Sequence, residues 1–147
     1  MKLMQGDQVM AQHDDGESVY DEFADFVFTG WLQKIWDITG HLWYHEESQA
    51  FLEPVSRDDL GNYFDYYLSI IDYPMDLTTI KEKIKAGHYE SVVQWRNDVE
   101  TMFKNCRTFN EETSGVYESA TKLQRFYFGE LHQYGLYDQS STIRVIR

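Results

Sequence analysis

Cysteine is nearly absent from this chain. Cys106 is the only one among 147 residues, so no disulfide can close within it. A disulfide framework is excluded as the basis of the fold, and a reducing compartment fits. Cys106 falls on an apolar helical stripe, where a buried, inert thiol is expected. Long apolar runs are missing too. None approaches the roughly 18 residues of a membrane span, and no secretory leader pattern opens the chain. The protein reads as soluble and intracellular. Positive charge is scarce: 13 Lys and Arg against 25 Asp and Glu leave a net charge of −12. That field repels nucleic-acid phosphates and anionic membranes and draws cationic partners in. It permits a basic peptide ligand without requiring one, because an acidic surface also serves solubility alone.

What is present is a core. Hydrophobic residues make up 42% of the chain and aromatics 16%, which argues against wholesale disorder. The length suits one domain, one that buries roughly 68–70% of its extended surface.

Residues 1–18 read as an acidic, flexible tail, with Asp14-Asp15-Gly16-Glu17 near its end. Ser18 is placed to cap a helix, with Asp21 and Glu22 in the first turn, where the helix dipole favours acids. From Val19 to about His45 apolar residues recur at helical steps through Phe23, Phe26, Leu32, Ile35 and Leu42. Thr29-Gly30 is a point where this segment divides, and Gly40 weakens its end. Residues 46–75 follow no period. They hold both prolines, Pro54 and Pro74, and six aromatics: Phe51, Tyr63, Phe64, Tyr66, Tyr67 and Tyr73. So long and apolar a connection must pack on something.

Asp76 then caps a short helix with the stripe Leu77, Ile80, Ile84, and Gly87 stops it. Ser91 and Gln94 have the spacing of a capping box. The helix they open carries Val92, Val99, Phe103 and Cys106 on one stripe and runs to about Phe109. Thr113 or Ser114 starts the last helix, with the stripe Val116, Ala120, Leu123, Tyr127, Leu131, and Gly135 ends it. Residues 135–147 read as a tail or linker. Four helices follow, the first connection long and the other two short. Short connections make antiparallel neighbours. The long connection and the break after the third helix therefore meet at one end of the bundle and make a pocket there.

Asn110 stands at that junction. Two jobs suit it. It can cap its helix, since Asn tolerates a left-handed backbone. Or its carboxamide can face the pocket, offering two N–H donors and one acceptor to a ligand. The residue alone leaves both open.

Three stretches together resemble the bromodomain family: Phe51-Leu52-Glu53-Pro54-Val55, then Tyr67-Leu68-Ser69-Ile70-Ile71-Asp72-Tyr73-Pro74-Met75-Asp76, then Met102-Phe103-Lys104-Asn105-Cys106-Arg107-Thr108-Phe109-Asn110. The likeness covers roughly residues 28–134, within a domain drawn at 19–134. It implies an all-α fold, a left-handed four-helix bundle whose long and short loops enclose a pocket for acetylated lysine. Asn110 matches the asparagine that donates to the acetyl carbonyl, and Tyr67 the tyrosine that holds the same oxygen through a water. Phe51 and Val55 match the wall against the acetyl methyl, with Pro54 beside them. Val116 guards the mouth, Phe109 stands where a tyrosine is usual, and Leu60 is a wall candidate. There are departures. The shelf that usually reads Trp-Pro-Phe is Gln49-Ala50-Phe51 here, the loop from Val55 to Tyr67 is longer, and a proline before the tyrosine is missing.

The resemblance implies a monomeric, nuclear, chromatin-associated reader of acetylated peptides, histone tails foremost. It implies no enzyme activity, cofactor, membrane or direct nucleic-acid partner. Two rivals stand beside it. His41 and His45, followed by Glu46 and Glu47, have a spacing that can hold a metal, though no Glu-x-x-His occurs in the chain. Cys106 carries no nucleophile signature. The other rival is a helical protein-interaction module whose degenerate pocket binds no acetyl-lysine.

Overall fold

A computed structural model describes residues 10–12, 18–20 and 22–137 of the chain. Residues 1–9 and 13–17 of the expected acidic tail, and 138–147 of the expected C-terminal tail, lie outside the described residues. The order is β1 (Met10–Gln12), β2 (Ser18–Tyr20), α1 (Trp31–Trp43), α2 (Arg57–Leu60), α3 (Phe64–Ile70), α4 (Leu77–Lys85), α5 (Val92–Phe109) and α6 (Gly115–Gln133). β1 and β2 form an antiparallel pair, Met10 opposite Tyr20.

Three of the long helices begin on the expected side-chain caps, and two of them end on the expected glycines. Asp76 accepts the Thr79 N–H at 2.9 Å, Ser91 that of Gln94 at 3.3 Å and Ser114 that of Tyr117 at 3.2 Å. The Gln94 carboxamide reaches back one residue further than a capping box requires, accepting the Glu90 N–H at 2.6 Å. At the far ends Gly87 and Gly135 take positive φ, 72° and 71°. That left-handed step lets the His88 N–H return to the Lys83 carbonyl and the Leu136 N–H to the Leu131 carbonyl.

The first helix departs from expectation. It starts at Trp31, behind Gly30 at φ 60°, and Ser18 lies in a strand instead of capping it. Phe23 and Phe26 still reach the core, from an irregular strap folded back over α1. The Phe23 ring lies 4.6 Å from that of Trp36, whose indole N–H donates to the Phe23 carbonyl at 2.7 Å. Gly40 is what admits the strap. A Cβ there would stand 3.0 Å from the Phe23 ring, so the missing side chain is a close-approach site inside a helix that continues to Trp43.

The long helices close a ring, α1 against α4 and α6, and α5 against the other three. Inside it Ile35, Ile38, Leu42, Leu77, Ile80, Trp95, Val99, Phe103, Leu123 and Tyr127 are wholly buried. Polar atoms in this core are paired. The Trp95 indole N–H donates to Thr39 Oγ1 at 3.0 Å, and that hydroxyl donates to the Ile35 carbonyl at 2.7 Å. Leu136, just past α6, is buried as well, and the Tyr137 ring stacks on His132 at 4.3 Å.

The long connection carries local structure that its sequence pattern hides. Gln49–Phe51 is a 3-10 turn, Ser56 and Asp59 form a reciprocal capping box over α2, and Gly61 at φ 58° turns the chain toward α3. Two latches fix the connection to the frame. Thr78 gives both its N–H (3.0 Å) and its hydroxyl (2.6 Å) to the Leu52 carbonyl. Asn105 Nδ2 donates to the Tyr73 carbonyl at 2.8 Å.

Candidate functional site

Between this crossover and the end of α5 lies a cleft of about 450 Å³. Seven of the eight expected site residues line it: Asn110, Tyr67, Val55, Phe51, Val116, Phe109 and Leu60. Pro54 does not. It is exposed and outside the lining, while its neighbour Glu53 lines the cleft and Leu52 packs against the core. The expectation also missed residues. Met75 and Met102 supply flexible apolar surface, and Glu53 and Asp59 put two carboxylates among the lining residues. The step from α5 into the cleft is legible in Met102, Cys106 and Asn110, which fall at four-residue intervals on one helix face.

Asn110 closes its helix and also lines the cleft. Its backbone is extended, φ −101° and ψ 149°, so it is not a left-handed cap. It closes α5 instead by donating both its backbone N–H and its Nδ2 to the Cys106 carbonyl, each at 3.0 Å. Nδ2 carries two hydrogens. The Cys106 carbonyl and, more weakly, Cys106 Sγ at 3.7 Å orient the carboxamide, and Oδ1 is left unpaired among the described residues.

Tyr67 is 5% exposed. Its ring meets Phe109 edge-on at 5.0 Å and stacks on Phe64 at 6.5 Å. Its hydroxyl has no protein partner among the described residues, although buried tyrosine hydroxyls generally find one. Burial, then the neighbouring charges of Cys106 and Asp76, push its ionisation above the ordinary phenol value. It stays a neutral donor and acceptor at physiological pH. Cys106 is half-buried, less enclosed than expected. Burial raises its thiol above the ordinary range, against a smaller opposing pull from Asn110 and Arg107. Its Sγ–H points to the Val116 carbonyl at 3.5 Å and so ties α5 to α6 across the cleft.

A polar chain supports the latch on Tyr73. The Tyr73 hydroxyl lies 3.1 Å from Lys83 Nζ, which pairs with the buried Asp98 at 2.6 Å, and Tyr89 donates to the same carboxylate at 2.5 Å. On the other side the Ser119 hydroxyl donates to Glu47 at 2.8 Å, fixing the turn that precedes Gln49 and Ala50. Both of those residues are exposed cleft residues, which leaves this wall low and polar.

The histidine spacing finds other uses. His41 Nδ1 sits 2.5 Å from a Glu130 oxygen on α6, and the His45 ring packs on Phe126 at 4.6 Å. Among the described residues no group of three or more His, Cys, Asp or Glu is placed to hold a metal, and no helix is long and apolar enough to cross a membrane.

These features define a class: a four-helix bundle with a ligand-sized, mainly apolar cleft at one end, closed by a long crossover and a helix-capping carboxamide. The chain belongs to the bromodomain family, whose model matches residues 32–122. Bromodomains are generally acetyl-lysine readers of chromatin proteins, a reader module and not a catalytic one. Similar proteins include the histone acetyltransferase GCN5 of Debaryomyces hansenii, 34% identical over 82 residues, which are 56% of this chain and 17% of that protein. Mouse bromodomain adjacent to zinc finger domain protein 1A is 31% identical over 99 residues, 67% of this chain and 6% of that protein. The bromodomain of human BAZ1A superposes with a TM-score of 0.68 at 27% identity, covering 75% of this chain and 99% of that one. The chain thus spans a small part of the length of the curated relatives it matches.

Proposed function

We propose that this chain binds acetylated lysine in peptides, histone tails foremost, through the cleft at Asn110 and Tyr67. One observation carries the reading. An oriented carboxamide, whose Nδ2 makes only a 3.7 Å contact with Cys106 Sγ beyond the helix carbonyl, and a buried phenol without a protein partner among the described residues line the same apolar cleft. Acetylation removes lysine's charge and leaves a carbonyl acceptor and a methyl. Asn110 Nδ2 donates to that carbonyl, Tyr67 holds the same oxygen through a water, and Phe51 and Val55 take the methyl. Val116 and Phe109 border the entry, and Leu60 lies on the crossover side.

Selectivity rests on rejection. Unmodified lysine brings three donors and no acceptor. Its ammonium would lose hydration beside another donor, a cost of several kcal/mol. Attraction is modest, about 1 kcal/mol for the hydrogen bond and about 0.8 for the methyl. Dissociation constants in the micromolar-to-millimolar range are expected, on the order of −4 to −8 kcal/mol. The low, polar wall at Gln49 and Ala50 favours the weaker end. The same reading makes the domain a monomeric module of a nuclear protein, with no nucleic acid as its direct ligand.

The test is calorimetric titration with acetylated and unmodified copies of one basic peptide. Only the acetylated copy is expected to bind, and Asn110→Ala is expected to abolish that binding while circular dichroism stays native. Equal binding of both copies, or full binding by the alanine variant, would overturn the reading in favour of a helical interaction module with a degenerate pocket.

A further inference from the structure

A second hollow adjoins the cleft. It is a groove of about 610 Å³ lined by Leu60, Tyr63, Tyr66 and Phe109. Leu60 and Phe109 line both spaces, so the groove continues the cleft over the outside of the crossover. Its origin is plain in the sequence. Phe64 and Tyr67 stand three residues apart and turn inward, their rings stacked. Tyr63 and Tyr66 have the same spacing one residue earlier and turn outward. They are 70% and 57% exposed, with neither hydroxyl hydrogen-bonded to protein among the described residues. The Tyr66 ring leans on Phe109 at 6.2 Å.

The lining of the groove is aromatic and apolar, and the chain around it is acidic. From Glu53 to Asp65 the crossover carries the carboxylates of Glu53, Asp58, Asp59 and Asp65 and one cation, Arg57, which is spent on Asp65 at 2.8 Å. The whole chain carries −12. A guanidinium suits such a place: its plane stacks on an aromatic face, its stem covers apolar surface, and it is more weakly hydrated than an ammonium. The crossover already holds one such contact internally, with the Arg57 guanidinium 5.1 Å over the Phe64 ring.

From this we infer that the Tyr63–Tyr66 groove is a second subsite, which takes an arginine side chain from the same peptide that places its acetyl-lysine in the cleft. The inference rests on the acetyl-lysine reading and adds sequence preference to it. The cleft selects the modification, and the groove selects among modified sites those with an arginine a few residues away.

The experiment uses acetyl-lysine peptides of otherwise uncharged residues. One arginine is moved a step at a time to about five residues on either side, a reach of roughly 17 Å in an extended strand. Arginine at one or two positions is expected to tighten binding roughly two- to five-fold over the arginine-free peptide. Citrulline, of the same shape without the charge, is expected to lose the gain. Tyr63→Ala with Tyr66→Ala should remove the gain while leaving affinity for the arginine-free peptide unchanged. Tyr63→Leu with Tyr66→Leu keeps apolar area and should remove most of it. An arginine-free peptide that binds, with no gain from arginine at any position, overturns the groove and leaves the cleft standing. So does a gain that survives both double variants, or one matched by phenylalanine or a second acetyl-lysine at the same position. Failure of every acetylated peptide to bind overturns the cleft reading, and this inference with it.

Discussion

In the four long helices the large side chains disappear: Trp36, Trp95, Phe103 and Tyr127 are at most 1% exposed. In the crossover, Tyr63 and Tyr66 stand mostly open, and the segment is held by a few polar latches. Both regions are rich in aromatics, so composition does not separate them. What separates them is how many directions each ring is packed from. A ring enclosed on all sides contributes stability and leaves no surface for recognition. A ring packed on one side contributes little stability and keeps a face for a ligand. The frame should therefore respond to lost volume, and the crossover to lost placement.

The largest effect is expected where volume is removed from the frame. Trp95→Ala empties a fully buried site and strips Thr39 Oγ1 of its donor. Such truncations cost about 3–5 kcal/mol, a large share of the roughly 5–15 kcal/mol a domain possesses. Urea denaturation should show the midpoint collapsing with loss of native signal before any ligand is added. A shift under about 1 kcal/mol would mean that the frame relaxes around the gap and would weaken the contrast.

A smaller effect is expected at the seam between the regions. Thr78→Val keeps the shape but removes the hydroxyl bond to the Leu52 carbonyl, which retains the Thr78 N–H. Stability should fall by about 1 kcal/mol or less. Affinity for an acetylated peptide should drop several-fold, because Leu52 lies between the wall residues Phe51 and Val55. Stability and affinity falling in proportion would show the crossover to be part of the frame's cooperative unit.

The same contrast explains what the sequence discloses. The later helices are legible because their signals are local: Asp76, Ser91 and Ser114 cap the next few residues of chain, whatever the tertiary fold. The start of α1 is not. Phe23 and Phe26 fall at helical spacing, yet they meet the core from a strap that doubles back, and periodicity cannot report a reversal of chain direction. The role of Gly40 is hidden for the same reason, since it depends on a ring seventeen residues away. At the site, Asn110 and Tyr67 are legible through the family resemblance. Pro54 shows its limit: a motif fixes which residues are adjacent in the chain, and the local turn decides which of them face the cleft. Met75, Glu53 and Asp59 carried no signal of their own, because only the folded crossover brings them together.

The smallest effect is expected from protons, and it bears on both regions at once. Tyr67 in the crossover and Tyr89 and Tyr127 near or in the frame all ionise above the ordinary phenol value of 10.0, with burial the first cause in each. Lys83 is also raised above 10.5: burial opposes its charge, but the bonds to Asp98 and Tyr73 outweigh that. For all four the folded state holds its proton more tightly than the unfolded chain. Stability from these groups is therefore complete below the unfolded values and is lost only as pH rises past about 10. Across pH 6 to 9 they leave the unfolding free energy flat, and above pH 10 it should fall. Tyr89→Phe removes a phenol that ionises in the unfolded chain but resists ionising in the folded one, so it should flatten part of that fall. Tyr67→Phe should flatten it too, while also weakening acetyl-peptide binding at neutral pH, which Tyr89→Phe should leave nearly intact. Denaturation midpoints at stepped pH, paired with titrations at neutral pH, separate the two. If the variants behaved alike in both measurements, the phenol in the cleft would be ordinary core and the division between frame and crossover would fail at its most enclosed residue.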